Sequence, residues 1–176
     1  GITDLLFEKV HKSGGKGIVS GMGKAGQVAN NIATTFSSTG TPAVFLHPSE
    51  AQHGDLGIIC ENDVLIVLSN SGKTREILEL VALTHQLYAE IPIILITGNS
   101  GGTLVHKADY TIFTGMPEEV CPLHLTPTTS TTVMMVIGDV MTILLMERIG
   151  FTKEEYAKRH HGGYLGEQVR LQNGKK

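Results

Sequence analysis

The sequence predicts an α/β fold, a parallel sheet covered by helices on both faces, and three observations carry that prediction. Short β-branched apolar runs alternate with stretches of helical periodicity along the chain. The runs are apolar at nearly every position, the pattern of strands buried on both faces. The connections are short enough for right-handed crossovers and little else.

The first strand is Gly17 to Ser20. Ala25, Val28, Ala29, Ile32, Ala33 and Phe36 then recur at the spacing of one helix face, and Gly40 with Pro42 closes that helix. Ala43 to Leu46, Val64 to Leu68 and Ile93 to Ile96 read as the second, third and fourth strands, with a helix from about Thr74 to Tyr88 between the last two. A small helix around Gly102 to Lys107 precedes a weaker fifth strand, Tyr110 to Phe113. Val133 to Met146 is apolar almost all round, interrupted by Gly138 and Asp139. At about 14 residues it is too short for a membrane span of about 20, so it is expected to be buried, with a subunit interface favoured.

A chain of 176 residues with 41% hydrophobic residues has room for one self-sufficient domain and nearly excludes a two-domain enzyme. Lys and Arg total 14 against 17 Asp and Glu, a net charge of −3, and the basic residues are scattered, so a nucleic-acid partner is not expected. Two cysteines, Cys60 and Cys121, make neither a disulfide framework nor a zinc cluster, and no signal peptide is visible, which fits a reducing cytoplasm. The chain starts at Gly1 rather than Met, as a trimmed chain would. Its 21 glycines exceed the usual share of about 7% and imply close backbone approaches.

Gly21-Met22-Gly23-Lys24-Ala25-Gly26 follows a strand, opens a helix and matches G-x-G-x-x-G, which raises a dinucleotide site. The acidic residue such a site needs at the end of the second strand is missing: that strand ends Leu46-His47-Pro48, with Glu50 beyond. A lysine inside the turn is also out of place in a pyrophosphate cradle. What stays open is a tight turn with Lys24 merely solvated, or a loop presenting an amine over the carboxyl edge of the sheet.

Ser69-Asn70-Ser71-Gly72-Lys73-Thr74 leads into a helix, whose free N–H groups, dipole and hydroxyls would bind an anion without a cation cluster. Ordinary capping by Ser or Thr is the bland alternative. A second hydroxyl-rich stretch, Thr126 to Thr132, also precedes a helix, and two in one domain favour a phosphorylated ligand. Glu119 follows the last strand in a proline-bounded segment, where a plain surface carboxylate is the commoner outcome. His160 and His161 precede Gly162-Gly163, a turn that could fold the tail over the sheet edge. Glu50 and His53 would share a helix face and, with His47, could ligate zinc.

GMGKAG, STGTPAVFLHPSEAQHGDLG, SNSGKTRE, EEVCPLHLTPTTSTT and RHHGGYLG, in that order, resemble the sugar isomerase (SIS) domain family, and within it the arabinose 5-phosphate isomerases of the KdsD/KpsF type. The resemblance runs from about Gly17 to Leu165. It implies a five-stranded parallel sheet in a three-layer αβα sandwich with flavodoxin-like winding. It implies interconversion of ribulose 5-phosphate and arabinose 5-phosphate for Kdo synthesis, serving lipopolysaccharide or capsule, in a homotetramer, a dimer of dimers, with sites near subunit boundaries.

Carried over position by position, the resemblance implies catalytic roles for Lys24, Glu76, Glu119, His160 and His53. It implies substrate contacts from Gly23, Gly40, Thr41, His53, Ser69, Asn70, Ser71 and Thr74. His47 matches a histidine that can take up inhibitory zinc; no cofactor is required for the isomerisation. Two departures stand out: His161 replaces a proline, and Lys73-Thr74-Arg75 replaces a more acidic or serine-rich stretch. The family's N-terminal helix is largely missing from residues 1–176, the tail after about residue 170 is expected to be disordered, and the CBS regulatory pair of many relatives is absent. Regulation would then fall on the active site, with a Kdo-containing nucleotide sugar as feedback inhibitor. The competing expectations are an isomerase for a hexulose or heptulose phosphate, or a sugar-phosphate sensor without catalysis.

Overall fold

The computed structural model describes residues 1–161. Helix α1 (Ile2–Leu6) runs on into a π-helical stretch (Phe7–Lys12) and buries Leu6 and Val10. There follow β1 (Gly17–Gly21), α2 (Gly23–Ser38), β2 (Ala43–Phe45), α3 (Pro48–Ala51) and a 3-10 turn (Asp55–Ile58). The chain continues through β3 (Val64–Leu68), α4 (Arg75–Leu87), β4 (Ile93–Thr97), a 3-10 turn (Thr103–His106) and β5 (Tyr110–Phe113), and closes with α5 (Thr129–Ile149) and α6 (Lys153–Arg159). The tail after residue 170, and Gly162 with it, lies outside the described residues.

The five strands are all parallel, in the order β2-β1-β3-β4-β5, the flavodoxin-like winding. Alternating side chains build two cores. Val19, Val64, Ile66, Leu68, Ile94 and Ile96 face α1, α2 and α5. Ile18, Leu65, Val67, Ile93 and Leu95 face α3 and α4. That double burial is why the strands read as unbroken apolar runs and why three layers form. The order reverses between β1 and β3, so the crevice at their carboxyl ends is where an open α/β sheet binds ligands.

The amino ends of β1 and β3 are tied together by Asp63, 1% exposed, which accepts from Lys16 N at 2.9 Å, Cys60 N at 2.8 Å and Lys16 Nζ at 2.7 Å. Burial alone would lower the Lys16 pKa, but the hydrogen bond and charge of Asp63 outweigh it and hold it raised.

Helix α5 corrects the argument from length. It spans 21 residues with a mean hydropathy of 1.6, long and apolar enough to cross a membrane by composition. Its packing is what marks it as part of the fold. Met134, Gly138, Met141 and Leu145 are buried, and a Cβ on Gly138 would lie 2.4 Å from Ile32 of α2, so the two helices touch through the glycine. The opposite face is open: Val136, Val140, Ile143 and Leu144 are exposed. Burial on all sides is therefore not met within one chain.

Candidate active site

The glycine loop is shaped by contacts rather than by a nucleotide. A Cβ on Gly21 would stand 2.8 Å from Ala25 O and one on Gly26 would stand 2.6 Å from Gly21 O, so both glycines allow α2 to start hard against β1. Gly23 turns the chain at φ +61°. Lys24, the second residue of α2, is exposed and makes no ion pair among the described residues.

Across the crevice the loop after β3 is more tightly built. Ser69 is 2% exposed and its hydroxyl is hydrogen-bonded to that of Thr74 at 2.8 Å. Lys73 N donates to Ser71 Oγ at 3.2 Å. Gly72 sits at φ +63°, and a Cβ on Gly102 would lie 2.7 Å from its Cα, so a side chain at either position would push the loop off its neighbour. Thr74 occupies the N-cap position of α4 without capping it by its side chain. The capping alternative therefore fails here. The first-turn N–H groups of α4 and its dipole remain available to an anion. Asn70 Oδ1 is buried without a partner in the same loop.

A cleft of ≈ 290 Å³ joins these parts: Lys24 from α2, Ser69, Asn70, Ser71 and Thr74 from the loop, and Ser130 with Thr131 from α5. It combines one exposed ammonium, several hydroxyls and a helix N-terminus, a set suited to a phosphate ester. A larger hollow of ≈ 530 Å³ opens at the amino edge around Lys9, His85 and Asp109, but its walls carry no glycine loop and no hydroxyl cluster.

The second hydroxyl stretch does something else. Glu119 Oε2 accepts from Thr128 N at 2.7 Å, Thr128 Oγ1 at 2.9 Å and Ser130 N at 3.4 Å. The Ser130 hydroxyl and these donors lower the Glu119 pKa to about 2. The donors of this stretch thus serve a carboxylate at the N-terminus of α5. All three measured bonds fall on Oε2. Nearby, Cys121 Sγ accepts from Leu125 N at 3.3 Å and Thr126 N at 3.2 Å, and those N–H groups lower its pKa to about 7.

Other expected site residues lie apart. Glu76 is half-buried in the first turn of α4, outside the walls of the cleft. Gly23 lines a neighbouring hollow of ≈ 340 Å³ with His47, whose Nδ1 is buried without a partner. His53 is exposed beyond α3. Gly40 and Thr41 sit at the amino edge of the sheet, opposite the cleft: Gly17 N donates to Pro42 O at 2.9 Å, Thr41 Oγ1 bonds His11 Nε2 at 3.1 Å, and Phe151 packs on Gly40. His160 stacks on Tyr156 at 3.7 Å, next to Phe151 and so at that same edge. The N-terminus of α5 is in the cleft and its C-terminus beside Gly40, and 21 residues of helix span about 30 Å. One chain therefore does not bring His160 to Lys24.

Among the described residues no three His, Cys, Asp or Glu side chains converge, so His47, Glu50 and His53 do not form a ligand set within one chain. Ser130 and Thr131 do not stand out from the sequence; the T-P-T-T-S-T-T run marks their neighbourhood but not which hydroxyls face the cleft.

A profile of the SIS domain matches residues 11–144. The arabinose 5-phosphate isomerase KdsD of Shigella flexneri is 44% identical over 167 residues, 95% of this chain and 50% of that protein. The KdsD of Pseudomonas aeruginosa is 47% identical over 157 residues, 89% of this chain and 48% of that protein. The chain spans about half the length of the curated relatives it matches. Among solved structures, a candidate phosphosugar isomerase involved in capsule formation from Bacteroides fragilis NCTC 9343 has a TM-score of 0.91 at 60% identity, covering 93% of this chain and 85% of that one. An Escherichia coli CFT073 protein in complex with arabinose 5-phosphate has a TM-score of 0.82 at 34% identity, covering 90% of this chain and 83% of that one.

Proposed function

Because the chain belongs to the SIS domain family, we propose that it interconverts D-ribulose 5-phosphate and D-arabinose 5-phosphate as an aldose–ketose isomerase. The observation that carries this reading is the cleft itself: Lys24, the Ser69–Thr74 hydroxyls and the side-chain-uncapped N-terminus of α4 meet beside a carboxylate fixed at one oxygen. The names of the relatives and the arabinose 5-phosphate bound by one neighbour point to the same substrate.

Ser69, Ser71, Thr74 and the α4 N–H groups grip the phosphate. Glu119, through Oε1, takes the proton from C1 of the ketose and returns it to C2. Between those steps stands an enediolate, whose oxygen charge Lys24 stabilises. His160 passes the hydroxyl proton from O1 to O2, Glu76 orients Lys24 or a sugar hydroxyl, and His53 assists ring opening. The isomerisation is redox-neutral overall and the route needs no redox cofactor. His47 is a site for inhibitory zinc, completed by groups outside this set.

Since His160 and His53 lie away from the cleft of their own chain, they serve the cleft of a neighbour. The exposed apolar face of α5 supplies the contact, in a homotetramer. The product feeds Kdo synthesis for lipopolysaccharide or capsule in the cytoplasm, with a Kdo-containing nucleotide sugar as feedback inhibitor.

Two measurements test this. Purified protein given ribulose 5-phosphate is expected to form arabinose 5-phosphate; no product refutes the reading. Lys24→Ala and His160→Ala are each expected to be inactive alone, yet regain activity when co-assembled, because some sites then receive both native groups. Absence of recovery in confirmed mixed oligomers refutes the shared site.

A further inference from the structure

The geometry points to a further positioning device: we infer that Ser130, together with Thr128, clamps Oε2 of Glu119 so that Oε1 alone meets the substrate proton. The inference rests on Glu119 being the base. Ser130 is 1% exposed in the wall of the cleft, where a hydroxyl needs a partner, and that partner is the carboxylate. Thr128 holds the N-cap position of α5 yet makes no side-chain cap; its hydroxyl turns to Glu119 instead, at 2.9 Å. The bonds reach back nine to eleven residues, from α5 to the segment that bears the carboxylate.

That segment has little else to hold it. Val120, Leu123 and Leu125 are 78%, 73% and 77% exposed, so they bury almost nothing, while Met116 and His124 adopt φ of +48° and +52°. Orientation of the carboxylate therefore depends on the clamp. A displacement of about 1 Å at a reacting group can cost about 100-fold in rate.

Kinetics of Ser130→Ala and Thr128→Val test this, each checked for an unchanged melting profile and oligomeric state. Each is expected to lower kcat about 10-fold or more with KM within about 2-fold, because the phosphate grip is untouched. Each should also enlarge the deuterium isotope effect for substrate labelled at C1, since proton abstraction slows. Ser130→Thr, which keeps the hydroxyl, should recover most of kcat. Near-normal kcat in both variants beside an inactive Glu119→Gln overturns the clamp and leaves the function standing. A raised KM at unchanged kcat also overturns it, making Ser130 a ligand contact. An active Glu119→Gln instead overturns the base assignment itself.

Discussion

Glu119→Gln is expected to lower turnover of ribulose 5-phosphate at least about 100-fold, the scale for losing acid–base assistance, while the protein stays folded. The substitution separates two jobs that one side chain performs. The Gln carbonyl can still accept from Thr128 N and Ser130 N and so keep the start of α5 in place. It cannot accept the substrate proton. Glu119→Ala loses both jobs and should fall in stability as well as in rate. The carboxylate also leaves a mark on acid stability. Its pKa is lowered in the folded protein, from 4.5 to about 2, so its contribution is complete above 4.5 and lost as pH falls through about 2. Melting temperatures of wild type and Glu119→Gln should therefore converge at the acid end. Comparable turnover in the two proteins would remove Glu119 from the chemistry.

The second large effect is on the fold. Asp63→Ala is expected to cost about 3–5 kcal/mol, or about 10 °C in melting temperature for a chain of this size. The loss comes from the N–H groups of Lys16 and Cys60, left without an acceptor at the starts of β1 and β3, and from an unpaired Lys16. Asp63→Asn keeps one acceptor and should cost less. Because the Lys16 pKa is raised on folding, the pair's contribution is complete below 10.5 and lost as pH climbs through the raised value. Thermal unfolding of both variants at neutral pH measures the effect. A cost under about 1 kcal/mol for Asp63→Ala would mean that water replaces the carboxylate without penalty.

The five strands, the two long helices Gly23–Ser38 and Arg75–Leu87, and the hydroxyl loop at Ser69–Thr74 are legible in the sequence. In each case the cause is local: period, β-branching, and glycines at Gly23 and Gly72 where φ is positive. The second hydroxyl stretch reads as another phosphate grip and is not one, because nothing in T-P-T-T-S-T-T reveals that Thr128 and Ser130 face a carboxylate nine to eleven residues back. Helix α5 reads as shorter than it is, since Thr129 to Thr132 have the composition of a loop and become helical only where Glu119 receives the first turn.

Sequence by itself determined the α/β class, the strand positions, and the residue types that a sugar-phosphate isomerase needs. Tertiary structure decided which of them share a cleft. Lys24 and Ser69 meet because β1 and β3 are neighbours at the reversal of strand order, and Ser130 joins them because α5 packs on α2 through Gly138. Gly40, Thr41 and His160 are set at the other edge, because a parallel sheet places everything that precedes a strand opposite everything that follows one. Spacing along the chain carries no trace of that division; it is fixed only when the strands pair.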